Sequence, residues 1–301
     1  MADGRGYRAG AFALELEGAI VGYIKKADLG KLKGEVVTNN LGPTNRQKKH
    51  VAKMSWDAMS FDVGFSMGKA LMDWINSSFE MNHLRKSGAF IMFDHNYQVQ
   101  RRCDFTKAHI TEITLPAFDA KGKDGMYFSI KIQPEVVRFS DGGGKMNPLV
   151  GEHEKLHANS NFRVDAAGLP AKHISKVDSL KWTCKVTENP HGEFIKSQYE
   201  PTAVECGDIK LTIGAQDYKP WYEAAEAFLI DGQCAEKDEK TFGIDILDPA
   251  AKEPIARLDF ENCGFKEFAF SAMEANKDAI SDFTVTMYCE KVKLTINKFN
   301  A

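Results

Sequence analysis

The sequence predicts a mainly β fold of two tandem antiparallel β-barrel or β-sandwich domains, each carrying one helix. The prediction rests on three observations: the chain aligns on itself, apolar and polar residues alternate along many segments, and one stretch in each half carries helical spacing. Phe12-Ala-Leu-Glu-Leu-Glu-Gly18 falls on Phe162-Arg-Val-Asp-Ala-Ala-Gly168 at an offset of 162 − 12 = 150, which also carries Asp28 onto Asp178 and Val36 onto Val186. Further along, Cys103-Asp104-Phe105 falls on Leu258-Asp259-Phe260, and an offset of 155 holds through Ile110/Phe265, Glu112/Glu267, Ala117/Ala272, Phe128/Phe283, Ile130/Val285 and Ile132/Met287.

In chain order, Ala11–Glu17 alternates as Phe-x-Leu-x-Leu and Trp56–Phe65 as Met-x-Phe-x-Val-x-Phe, which are half-buried strands. Met67–Phe79 places Leu71, Met72, Ile75 and Phe79 at helical spacing. Phe90–Phe93 is a compact apolar run and Tyr127–Ile132 alternates again. The second half answers with strands at Phe162–Asp165, Asp208–Ile213, Phe242–Leu247 and Phe283–Tyr288. Its helix is Tyr218–Ile230, with Pro220 in the first turn and Trp221, Ala225, Phe228 and Leu229 on one side. A single helix between groups of strands packs on an open end of a barrel or sandwich.

Ser140-Asp-Gly-Gly-Gly-Lys-Met-Asn-Pro148 is connector-type sequence, and polar residues continue to Asn161. The expected domains are therefore 1–140 and 161–301, joined by a linker at 141–160. Each half also carries a long polar insertion at the same place, Thr38–His50 and Glu188–Glu200, read here as long loops of the kind that carry function.

At 301 residues, with 43% hydrophobic and 27% charged side chains, the composition is that of a soluble chain of about two domains, and no apolar run reaches the length of a membrane span. Synthesis in the cytoplasm without membrane insertion is the expectation. Six cysteines without a C-x-x-C spacing read as reduced core residues. The net charge of −3 divides unevenly: residues 1–150 hold 21 basic and 16 acidic side chains (+5), leaving 39 − 21 = 18 and 42 − 16 = 26 (−8) for the rest. Opposite signs on two repeats suit repeats that sit alternately side by side.

The order of elements resembles the tail-tube proteins of contractile phages and related injection systems, the haemolysin-coregulated tube protein of type VI secretion among them. The resemblance lies in Phe12–Gly18 with Gly22, in Met59–Phe65 running into Leu71-Met-Asp-Trp-Ile75, in Arg102-Cys-Asp-Phe-Thr-Lys-Ala108 and in Phe118–Ile132, and it covers nearly all of both halves. It implies a small antiparallel barrel that joins neighbours into a six-membered ring around a channel, with rings stacking into a tube through the long loop. The stacking candidates it places here are Asn39, Asn40, Arg46, Lys48, Lys49 and His50, with Asn189, His191, Glu193 and Phe194 in the second half.

Two domains per chain depart from the single-domain tube subunit, so three chains would supply the six domains of a pseudo-hexameric ring. The resemblance implies as partners further copies of the chain and other tube, hub, baseplate or sheath proteins. DNA or protein cargo would occupy the lumen without sequence-specific binding, and the assembled particle would be a virion tail or an injection device. Small sheets expose strand edges that need partners. The strands expected at joins carry Phe12, Leu14 and Leu16; Phe128, Ile130 and Ile132; Phe162 and Val164; and Phe283 and Val285. A tube initiator or hub adaptor beneath a trimeric spike is the alternative within this class.

No cofactor and no catalytic residue are expected. His153-Glu154-Lys155-Leu156-His157 matches H-E-x-x-H, in which two histidines one helical turn apart bind zinc beside a glutamate base, so a zinc metallopeptidase is the alternative from another class. The pentapeptide lies in the linker with little apolar surface to bury, which favours a solvated connector. Asp94, His95, Asp104 and Asp259 read as turn or cap residues, and Trp74 and Trp221 as core contacts. The chain purified without chelator is expected to carry well under one zinc per molecule by elemental analysis; a stoichiometric zinc lost in the His153→Ala variant would establish the metal site instead.

Overall fold

The computed structural model describes residues 11–40, 47–65, 68–146, 157–189, 198–271 and 281–297. The first half runs β1 (Ala11–Leu16), β2 (Ala19–Asp28), β3 (Leu32–Asn40), β4 (Gln47–Trp56), β5 (Met59–Val63), α1 (Lys69–Phe79), β6 (Lys86–Phe93), β7 (Val99–Thr114), β8 (Phe118–Asp119), β9 (Phe128–Gln133) and β10 (Val136–Asp141). The second half runs β11 (Phe162–Asp165), β12 (Ile174–Val177), β13 (Lys181–Asn189), β14 (Gln198–Cys206), β15 (Ile209–Gly214), α2 (Tyr218–Leu229), β16 (Lys240–Leu247), β17 (Pro254–Phe270), β18 (Asp282–Tyr288) and β19 (Lys291–Ile296). The fold is mainly β, with two helices and two barrel-like sheets.

In the first half β1 pairs β2 and β6, β6 pairs β7, β7 pairs β9, β9 pairs β5 and β5 pairs β2, so six antiparallel strands close on themselves. The second half follows the same succession, β11–β16–β17–β18–β15–β12, and β19 lies on β17 as β10 lies on β7. Among the described residues no pairing joins β11 to β12. The correspondence extends to turns. Glu17 and Gly18 both have positive φ (51° and 89°), and Ala167 and Gly168 repeat it (53° and 92°). Two successive left-handed residues make a tight turn whose twist matches the strands it joins.

In the long polar segments expected as loops, the described residues 38–40, 47–50, 188–189 and 198–200 are strand, and residues 41–46 and 190–197 lie outside the described residues. β3 and β4 form a two-stranded hairpin with Leu32 opposite Trp56 and Val36 opposite Val51, and β13 and β14 form another with Trp182 opposite Cys206 and Val186 opposite Pro201. Each pair is displaced from its counterpart by 150, and both hairpins shift register just before Val36 and Val186. Hairpin β3–β4 exposes most residues on both faces and so lacks the alternation that marks a half-buried strand.

Alternation was legible where one face meets the core. Leu14, Leu16, Phe61, Phe90, Phe105, Phe128, Ile130 and Ile132 are all at most 1% exposed. Phe90 stands at the centre, its ring 5.5 Å from Phe61 and 5.4 Å from Phe105. The helices close the barrels through their tryptophans, both fully buried. Trp74 Nε1 donates to the Leu84 carbonyl and Trp221 Nε1 to the Pro170 carbonyl, each at 2.9 Å, so neither indole is buried unpaired.

An ion-pair cluster on the outer wall also repeats. Arg102 of β7 reaches across β6 to Glu15 of β1 (2.5 Å) and along its own strand to Asp104 (2.7 Å). Arg257 of β17 makes the same reach to Asp165 of β11 (3.0 Å) and to Asp259 (2.6 Å). Asp104 and Asp259 are thus mid-strand anchors for guanidinium groups and not the turn or cap residues expected from sequence. Asp94 does sit in a turn, its Oδ1 accepting from the Asn96 and Gln98 amides at 2.9 Å.

Most strands expected at joins lie inside the walls. β1, β9 and β18 are hydrogen-bonded on both sides, which places Phe12, Leu14, Leu16, Phe128, Ile130, Ile132, Phe283 and Val285 in barrel interiors and not at edges. Their strong alternation marks burial, and a strand that is paired twice has no edge to offer. β11, with Phe162 and Val164, pairs β16 alone among the described residues. Phe90→Ala is expected to lower the unfolding free energy by about 3–5 kcal/mol in urea denaturation, while Leu32→Ala, at a side chain 60% exposed, changes it by less than about 0.5 kcal/mol.

Candidate assembly interface

One barrel edge in this chain is occupied by a strand from the other half. The end of β7 pairs β9 on one side, and on its other side takes β13 from the second half, with Lys181 opposite Thr114, Trp182 opposite Ile113 and Thr183 opposite Glu112. The Leu115 amide extends the ladder to the Leu180 carbonyl at 2.8 Å. A second bridge lies nearby, where β8 pairs β12 and the Phe118 and Phe162 rings meet at 5.5 Å.

Side chains seal this join. Trp182, 2% exposed, sets its ring edge-on to Phe79 at the end of α1, 5.6 Å away. Asn76 of α1 donates to the Leu294 carbonyl (2.8 Å) and accepts from the Leu294 amide (3.2 Å), so a helix side chain pairs the outer edge of β19 as a strand would. One hydrophobic cluster consequently runs through both halves.

Charges frame the join. Glu112 accepts from Lys131 (3.1 Å) on its own sheet and from Lys181 (2.9 Å) on the arriving strand. Burial pushes the Glu112 carboxyl up, and the two ammonium groups outweigh it, leaving it below the ordinary value of 4.5. Arg85, in the segment between α1 and β6, donates through Nη2 to Glu200 of β14 (2.6 Å) and through Nε to His109 (3.1 Å). Burial, and then the Arg85 charge, hold His109 below its ordinary 6.5. His83 is lowered by burial as well.

The stacking candidates lie at the far ends of the two hairpins. Asn39, Lys48, Lys49, His50 and Asn189 are exposed strand residues; Asn40 ends β3, with its side chain outside the described residues. Arg46, His191, Glu193 and Phe194 fall outside the described residues, as do His153 and Glu154. His157 is in extended, non-helical backbone whose carbonyl accepts from the Met126 amide at 2.8 Å, and no cluster of three metal-ligating side chains occurs among the described residues. No described helix is long and apolar enough to cross a membrane. The joining residues Arg85, His109, Glu112, Trp182 and Glu200 were missed from sequence. The sequence signals near them are the 150 offset through Asp178 and Val186, which spans Trp182, the 155 offset that pairs Glu112 with Glu267, and the polar segment that ends at Glu200.

No protein-family model matches the chain, and no curated protein matches it. Among solved structures the chain is similar to one from the baseplate of the anti-feeding prophage, at 13% identity over 46% of this chain and 93% of that chain, with a TM-score of 0.39. It is also similar to a chain of the sheath–tube complex of an extracellular contractile injection system, at 16% identity over 45% and 88% with a TM-score of 0.39. Against Hcp1 from Flavobacterium johnsoniae it has 14% identity over 45% and 99%, with a TM-score of 0.32.

The buried, neutral His109 sets the sign of an acid effect. Its folded value lies below the unfolded 6.5, so the unfolded chain takes up the proton first as pH falls. Stability is complete above about pH 6.5 and declines from there down to the folded value. Thermal midpoints measured from pH 7.5 to 5 are expected to fall, and to fall less in His109→Gln; equal slopes would clear His109 of the effect.

Proposed function

We propose that this chain is a structural component of a phage tail or contractile injection particle, two tube-like domains in one polypeptide, with three copies closing a pseudo-hexameric ring around a channel. The observation that carries this reading is the join within the chain: a barrel edge completed by a hairpin strand, in a molecule whose two halves both possess that edge and that hairpin. The tandem organisation is read as 1–140 and 161–301 with 141–160 as connector, supported by matching strand pairings, matching hairpin registers and matching arginine clusters in the two halves. The role is mechanical and not enzymatic. A hydrogen-bonded wall holds the channel, and the segments 38–50 and 188–200 couple one ring to the next.

Two unequal halves make the ring threefold and only pseudo-sixfold, which is the symmetry required beneath a trimeric spike. That supports an initiator or hub adaptor as the second reading; filaments of stacked rings would select the tube, and discrete rings the adaptor.

Negative-stain imaging with native mass measurement tests the proposal. Rings of three chains with six lobes and a central hole are expected, loosening as salt rises from about 0.1 M to 1 M and the screening length falls from about 10 to 3 Å. A single chain at every concentration would overturn the ring. Rings indifferent to salt would remove the basic-to-acidic contact from its explanation.

A further inference from the structure

We infer that the first half of one chain docks on the second half of another copy by repeating the join seen within the chain, with hairpin β3–β4 completing the free edge of β17. The inference rests on the ring reading above and names its contact surface. Within the chain, the receiving face is the end of β7 with α1, and the arriving face is hairpin β13–β14 with β19. The second half has its own receiving face, the end of β17 with α2, and the first half its own arriving face, β3–β4 with β10. Among the described residues neither has a partner strand there: β3 pairs β4 alone, and Glu267–Phe270 of β17 pair β18 alone.

Exposure singles out the same two faces. Thirteen large hydrophobic side chains are exposed among the described residues; six lie on β3, β4 and β10, and five on α2, the residue after it and the end of β17. Eleven of thirteen on these two groups of elements is a concentration that marks interfaces and not scattered surface residues. At several of these positions the counterpart in the existing join is covered. Leu32, 60% exposed, corresponds to Trp182, 2% exposed. Phe139, opposite Cys103, is 51% exposed, whereas its counterpart Leu294, opposite Leu258, is fully buried, with its backbone paired to the Asn76 side chain. On the receiving side Leu229 and Ile230, 48% and 70% exposed, stand at the end of α2 where Phe79, 5% exposed, ends α1.

The charges match as well. The pair Lys181–Glu112 maps onto Lys31 and Glu267 by the offsets of 150 and 155, and both are exposed with no ion pair among the described residues. The pair Arg85–Glu200 maps onto Glu239 and His50 with acid and base exchanged, because β6 and β16 are offset by 154 and the hairpins by 150. Glu239 accepts from Tyr288 Oη through Oε1 (2.7 Å), and its Oε2 has no hydrogen-bond partner. A basic arriving face therefore meets an acidic receiving face, and each copy has one of each. Such head-to-tail contacts close into a ring when the rotation permits.

The test is a charge exchange read by native mass and analytical ultracentrifugation of the full chain. Lys31→Glu and Glu267→Lys singly are each expected to raise the half-assembly concentration at least about tenfold through like-charge contact, and the double variant to restore it. Leu32→Asp is expected to weaken assembly without rescue, while circular dichroism confirms that every variant keeps the fold. A wild-type trimer that none of these changes affects would overturn this joint and leave the ring standing. A wild-type chain that never assembles would remove ring and joint together.

Discussion

A β-barrel wall is complete only when every strand edge has a partner, and the join between Lys181–Thr183 and Glu112–Thr114 is where this chain meets that requirement within itself. An unpaired edge presents a row of desolvation-sensitive N–H and C=O groups, so it is either shielded or filled. Here it is filled by a hairpin from the other half. Several features serve that pairing: β13 lies outside the β11–β12 succession of its own half, Trp182 gives it an apolar anchor, and Lys181 and Glu200 give the hairpin charges that find Glu112 and Arg85.

The energetic weights differ among these contacts. The ladder of three residue pairs fixes register and direction, since a one-residue slip would turn Trp182 away from Phe79. Burial of Trp182, Phe79 and Phe118 supplies most of the favourable free energy, as large aromatic surfaces do. The ion pairs Arg85–Glu200 and Lys181–Glu112 retain partial solvent exposure, so they contribute modestly to stability and more to selecting which edge is filled. The repeated arginine clusters act differently. Arg102 ties β7 to β1 across β6, Arg257 ties β17 to β16 and β11, and their several carboxylate partners hold both guanidinium groups well above the ordinary arginine range.

The two halves have diverged where they would need to tell partners apart. Their barrels keep the same pairing order, and their hairpins keep the same register. What differs is the decoration: Trp182 against Leu32, Glu200 against His50, Arg85 against Glu239. Unequal halves in one chain also guarantee strict alternation around any ring, which separate identical subunits cannot do.

The sequence by itself determined, apart from the long core strands β7 and β17, the class of fold, both helices and the most strongly alternating core strands. Those strands alternate because one face is in the barrel and the other in solvent, and that period is written locally. It also marked the two polar segments as equivalent through the 150 offset. Only the tertiary structure decided what they are, because a hairpin exposed on both faces has no periodic signature. Only the tertiary structure likewise decided which strands are edges: β1, β9 and β18 look like any edge strand in sequence, and their second partners come from 60 or more residues away in the case of β1 with β6, or across a helix in the case of β15 with β18. Arg85, His109 and Glu200 acquire their meaning the same way. They are unremarkable polar residues until the barrel brings positions separated by 115 residues to 2.6 Å, and pairing over that distance is a property of topology and not of any local stretch of chain.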